Sequence, residues 1–318
     1  MLYSHRMSRC LQKCALFFLL LMGVTVAEAQ LKMVAPRPVV LQNVGLAGDR
    51  ETWHSEHFQI VVHGAVKPDE VKKIAVIAET THWLLRQQSL PLAAPASKDR
   101  ALVEILADSV SYVRAGGIPE SAGCYLTRPP RLLLDGSHYF ASAFRAGRRL
   151  PAAHNEDLVV HELVHLCMHG HMGIVPQWVT EGVAEYFSCM HSHGGNFVFT
   201  QMEFQIRDHI RVRAAAKLPQ VPVTAVEKVA ALDSRRWLDF LRDLPAADRQ
   251  QPYATALLLV HYYMHGGKDR RQEFAQMLQD SLQQQRRRPM IFAIDAAKTS
   301  AALMPFWKEK GLPLRWVP

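Results

Sequence analysis

His161-Glu162-Leu163-Val164-His165 sets two imidazoles one helical turn apart, with a carboxylate beside the first. Residues i and i+4 share a face of an α-helix, so both rings can face one ion while Glu162 reaches a water at that ion. HExxH on a helix is the pattern of a zinc site that carries its own general base. His161 and His165 are therefore candidate metal ligands, Glu162 is the candidate catalytic base, and one Zn2+ per chain is the expected cofactor.

A catalytic zinc takes three protein ligands, and two residues compete for the third place. His171 completes HExxHxxMxxH, the histidine spacing of the metzincins, but Met168 stands where their pattern has a turn-making glycine. Glu181 lies in Pro176-Gln177-Trp178-Val179-Thr180-Glu181-Gly182-Val183-Ala184-Glu185-Tyr186-Phe187, an apolar helical pattern carrying two carboxylates four residues apart. Carboxylates embedded among such side chains are costly unless a cation or metal pairs with them. Glu181 is the better candidate. Glu185, one turn on, can accept the distal N–H of a ligand histidine.

Two converging helices must position these groups. Asn155 suits an N-cap, acidic Glu156 and Asp157 suit the first turn, and Gly170 suits the end of the first helix. Pro176 suits the start of the second. Upstream, Phe58, Ile60 and Val62 alternate as a strand, and Pro68 opens an amphipathic helix that stops before Pro91. Strands are also expected at Ala101 to Leu106 and Arg131 to Leu134, with a short edge strand at Ala122 to Leu126. Further amphipathic stretches fall at 200–217, 234–243, 252–265 and 268–287. Strands crowd the first half and helices the second, so the fold class is α+β.

Arg6, Arg9 and Lys13 precede an apolar stretch from Cys14 to Val26 and an A-x-A site at Ala27-Glu28-Ala29, so residues 1–29 read as a cleaved secretory signal. An exported, periplasmic or secreted protein with no stable membrane span is expected. Residues 30–50 read as an extended lead-in and 51–318 as one catalytic unit, with a sheet-containing lobe over 51–150 and a helical lobe over 151–318. The formal charge is +8, falling to +6 once three basic residues and one acidic residue leave with the signal. That mild excess comes with no nucleic-acid motif, Arg286-Arg287-Arg288 reads as a solvated helix end, and no nucleic-acid partner is expected. Cys124, Cys167 and Cys189 remain; a Cys167–Cys189 disulfide and buried free thiols are both open.

HELVH followed by PQWVTEGVAEYF resembles the peptidase MA-like gluzincins, zinc metallopeptidases. The likeness extends unevenly over residues 52–265, through Trp53 to Phe58, Ala122-Gly123 and Tyr253 to Leu257. It implies a zincin-like fold, a small mixed sheet with helices packed against a mainly helical catalytic part. It also implies His161, His165 and Glu181 as ligands, Glu162 as base and Glu185 as support for a ligand histidine. Related enzymes place a Tyr or His downstream to stabilise the oxyanion, and Tyr253 takes that place here. The edge strand would bind substrate backbone by strand addition. His261 and His265 read as packing residues, and the absence of a Gly-x-Met-Glu-Asn motif separates the chain from the aminopeptidase branch. The expected activity is hydrolysis of a peptide or protein substrate by a Glu-assisted zinc-water mechanism. The alternative is a non-catalytic zinc-binding envelope protein that keeps the peptidase fold.

Overall fold

Phe58, Ile60 and Val62 are buried while Gln59, Val61 and His63 between them are partly exposed, the period of two that a sheet covered on one side imposes. The computed structural model describes residues 31–64, 66–93, 99–139, 152–213, 219–283 and 294–317, and over 152–155 the backbone alone. The expected signal and Arg286-Arg287-Arg288 lie outside these residues.

The stretch expected as a lead-in already contains β1 (Met33–Val34) and β2 (Gln42–Ala47). All six residues of β2 are exposed, so no face alternates and no periodicity marks it. Then come β3 (Arg50–His54), β4 (Phe58–His63) and α1 (Pro68–Gln87), which opens on its proline and buries Val71, Ile74, Ile77, Ala78 and Leu84 against the sheet. β5 (Ala101–Leu106), α2 (Ser109–Arg114), β6 (Gly123–Thr127), β7 (Pro130–Asp135) and the single turn α3 (Gly136–Tyr139) complete the first half. One six-stranded sheet results, in the order β2-β3-β4-β5-β7-β6. Its centre is parallel, β4 to β5 and β5 to β7, and both flanks are antiparallel. β6 is an edge, as expected for this segment. The sheet begins before residue 51, because β2 pairs with β3.

The second half is helical. α4 (Ala152–Cys167) starts earlier than expected, so Asn155 lies within its first turn and is not its N-cap. A 3-10 turn (His169–His171) leads to α5 (Gln177–Met190), with Pro176 at the N-cap position. The hairpin β8 (His191–His193) and β9 (Asn196–Val198) follows and accepts β1 alongside β9. α6 (Met202–Arg213), β10 (Val221–Thr224), α7 (Val226–Val229), α8 (Ser234–Asp243), α9 (Gln251–His265), α10 (Lys268–Gln283), α11 (Ala296–Glu309) and β11 (Leu314–Val317) complete the chain. β10 and β11 form a separate parallel pair. The mixed α+β class is as expected, and the described residues from Met33 onward form one compact unit.

All fourteen residues of α5 are buried, between α4 on one side and α9 on the other. The α5–α9 contact is close enough to need a glycine. A Cβ on Gly182 would stand 2.3 Å from the Ala256 carbonyl oxygen and 2.6 Å from Val260 Cγ2. The three thiols Cys124, Cys167 and Cys189 are free and buried, so the Cys167–Cys189 bond is not made.

Candidate metal centre

α4 and α5 bring three side chains to one point. His161 and His165 sit one turn apart on α4 with ring centroids 4.8 Å apart, and Glu181 reaches them from α5. Their facing atoms form a nearly equilateral triangle. His161 Nε2 and His165 Nε2 are 3.1 Å apart, and Glu181 Oε2 lies 3.3 Å from the first and 3.4 Å from the second. Ligands about 2.0–2.1 Å from a tetrahedral zinc stand roughly 3.3–3.4 Å from one another, so the donor set and its spacing both fit a metal of that size. All three groups are buried, and His165 Nδ1 is buried with no hydrogen-bond partner. These residues can hold a metal ion.

The second carboxylate oxygen of Glu181 is fixed from behind. Gln177 Nε2 donates to Oε1 at 2.7 Å, and Ser234 Oγ donates to Gln177 Oε1 at 2.6 Å. Glu185 lies behind His161, its Oε1 3.4 Å from His161 Nδ1. It also accepts from His209 Nε2 at 2.8 Å and from Arg213 Nη1 at 2.8 and 2.9 Å. An arginine and a histidine from α6 thus neutralise a carboxylate that burial alone would disfavour. Sequence reading missed Gln177, His209, Arg213 and Ser234 as parts of this centre. Only the two buried acids, which demand cationic or donor partners, hint at them.

The charges interlock. Burial pulls His161 downward, but the hydrogen bond it donates to Glu181 and the charges of Glu185 and Glu162 outweigh it and lift the imidazole to about 9. Burial works against the charged forms of Glu181 and Glu185 as well. His165 and His161 overcome it at Glu181, Arg213 and His209 overcome it at Glu185, and both carboxyls are held well below the usual carboxylate range. In the metal-free protein a protonated His161 therefore pairs with two carboxylates, its Nε2 facing Glu181 and its Nδ1 facing Glu185.

Glu162 lies on α4 beside this triad, close enough to feel the charges of His161, His165 and Glu181, and it also meets β6. The backbone N–H of Tyr125 donates to its Oε2 at 2.8 Å, and burial raises its pKa against the opposing pull of His161 and His165. The edge strand thus stands beside the centre, as expected, but its N–H at Tyr125 is already engaged by Glu162. The Tyr125 hydroxyl also bonds to His169 Nδ1.

Tyr253, at the start of α9, packs edge-on to Trp237 at 5.5 Å and lines a cavity of about 160 Å³ together with Glu185, His209 and Arg213. Burial, then the charges of Glu181, Glu185 and Glu162, keep its hydroxyl protonated throughout the physiological range. His171 is excluded from the centre. It is buried elsewhere, with Nδ1 2.6 Å from Ser281 Oγ and Nε2 2.8 Å from the Pro91 carbonyl, and burial depresses it to about 4. Met168 before it has φ −87°, so the left-handed turn needed to swing a third histidine round does not form. His169, two residues earlier, is exposed. His261 is buried against Tyr186, Phe306 and Trp307, and His265 Nε2 lies 3.0 Å from Tyr186 Oη, the packing roles expected of both.

Among the described residues, no helix is long and apolar enough to cross a membrane. A scan against protein-family models matches none of them to this chain, and a search of curated proteins finds no match.

Proposed function

We propose that this protein is an exported, zinc-dependent metallopeptidase of gluzincin type with a zincin-like fold. The observation that carries the reading is the triangle of His161 Nε2, His165 Nε2 and Glu181 Oε2, with sides of 3.1 to 3.4 Å and a buried glutamate at its rim. One Zn2+ held there would act as a Lewis acid, lowering the pKa of a water toward neutrality and polarising a carbonyl.

The remaining steps belong to the chain. Glu162, aligned by the Tyr125 N–H and made more basic by burial, takes the proton of the attacking water and returns it to the departing amine. Tyr253, held protonated, donates to the oxyanion that forms on the carbonyl. Glu185, backed by His209 and Arg213, orients His161. The free edge of β6 lines up the peptide beside them.

Metal analysis and peptide cleavage on Glu162→Gln and Glu181→Ala test the proposal. Expected are one zinc per chain at this centre, chelator-sensitive cleavage of a peptide library, a loss of at least about a hundredfold in Glu162→Gln with zinc retained, and loss of that zinc in Glu181→Ala. Wild-type protein with zinc bound that leaves broad libraries uncut supports the non-catalytic alternative and overturns the peptidase reading. Zinc that survives Glu181→Ala overturns the ligand assignment.

A further inference from the structure

We propose that His57, Glu79 and His82 hold a second divalent transition-metal ion, at a site separate from the His161 centre and independent of the peptidase reading. Glu79 and His82 are three apart on α1 and therefore share a face, and His57 meets them from the turn between β3 and β4. One ligand atom from each lies within 4.8 Å of the other two. The imidazoles of His57 and His82 stack at 4.1 Å, tilted by 38°. The group opens into a cleft of about 490 Å³, which gives an ion access from solvent.

The carboxylate is already oriented as a ligand. Glu79 is buried, and its Oε1 accepts from Ser55 Oγ at 2.6 Å and from the His57 backbone N–H at 2.8 Å. Those two bonds fix the headgroup and leave Oε2 with a single partner, His57 Nδ1 at 2.7 Å. An ion entering here takes the His57 tautomer that carries its proton on Nε2, leaving Nδ1 free to ligate, and opens the Nδ1–Oε2 pair toward the roughly 3.3 Å separation of tetrahedral ligands. His82 Nδ1 is buried with no hydrogen-bond partner, an unmet valence beside a neighbouring imidazole and carboxylate.

Arginines in the same cleft would repel a cation, but two of them have other partners. Arg100 Nε donates to the Ser55 carbonyl at 2.7 Å, and the Arg37 guanidinium lies over the Trp83 ring at 5.1 Å. Glu56 adds a second carboxylate 3.8 Å from His57 Nε2. Two imidazoles and a carboxylate suit zinc, cobalt or nickel better than calcium or magnesium.

Equilibrium dialysis of the full chain against Zn2+, with Co2+ as a spectroscopic probe, tests the site. Wild type is expected to bind two ions per chain and His57→Ala/His82→Ala one. His161→Ala/His165→Ala should also bind one, and the visible Co2+ bands that remain in it should vanish when His82→Gln is added. His57→Ala alone, in a side chain 42% exposed, keeps the test open if the double variant fails to fold, and should weaken the second ion at least tenfold. A single ion in wild type with none in His161→Ala/His165→Ala overturns the proposal. So does a second ion that persists with unchanged affinity in His57→Ala.

Discussion

Replacing Gly182 by alanine adds one methyl group, and its effect can be worked from the α5–α9 contact. The new Cβ meets the Ala256 carbonyl oxygen at 2.3 Å, where real Cβ atoms essentially never come closer than 3.0 Å. The obstacle is backbone, so no rotamer relieves it, and α5 must retreat from α9 by about 0.7 Å or more. Overpacking of that kind costs about 1–3 kcal/mol, a fall of roughly 2–10 °C in melting temperature for a chain of this size. Glu181 is the preceding residue, so the same retreat distorts a triangle whose sides are 3.1 to 3.4 Å. Zinc affinity should fall about tenfold or more along with stability, because ligands held in place tolerate little displacement. Melting of the metal-free variant by circular dichroism and a competitive zinc titration measure the two effects separately. A variant that melts within a degree of wild type and binds zinc as tightly would refute the claim that this contact sets the distance between the helices.

Tyr253→Phe should lower kcat by about 10²–10³ with little change in KM if its hydroxyl meets the oxyanion, and steady-state kinetics decide it. Arg213→Met removes the Nη1 donor shared by both oxygens of Glu185; a loss of about 1–2 kcal/mol is expected in urea unfolding, less than for a fully buried pair because Arg213 is partly exposed, with zinc affinity about tenfold weaker. The metal-free protein should have a pH-dependent stability of two signs. His161 is raised from 6.5 to about 9, so its contribution is complete below 6.5 and disappears as pH rises through 9. Glu181 and Glu185 are depressed from 4.5, so theirs is complete above 4.5 and disappears as pH falls. Urea midpoints between pH 3 and 10 should peak at about pH 4.5–6.5, and a flat profile up to pH 10 rules out a protonated His161 paired with Glu181 and Glu185.

The readable parts of this chain were those with local causes. β4 alternates because one face is covered, α1 begins where a proline permits it, and His161 and His165 meet because four residues make about one turn. Glu181 was legible because a carboxylate among Trp178, Val183 and Phe187 needs a partner. What escaped has causes elsewhere in the chain. His209 and Arg213 look like ordinary polar residues on α6 until the fold lays them against Glu185, 24 and 28 residues away. β2 carries no buried face, and β10 exists as a strand because β11 pairs with it from about ninety residues downstream. Asn155 fits a cap by type, yet Ala152 starts the helix.

A helix enclosed on every side, as α5 is, offers no position where sequence can drift freely. Freedom to vary is therefore found away from α5, at positions such as the exposed His169 in the turn before it. Saturation libraries placed along α5 would mostly return collapsed proteins, while libraries at His169 would return folded ones.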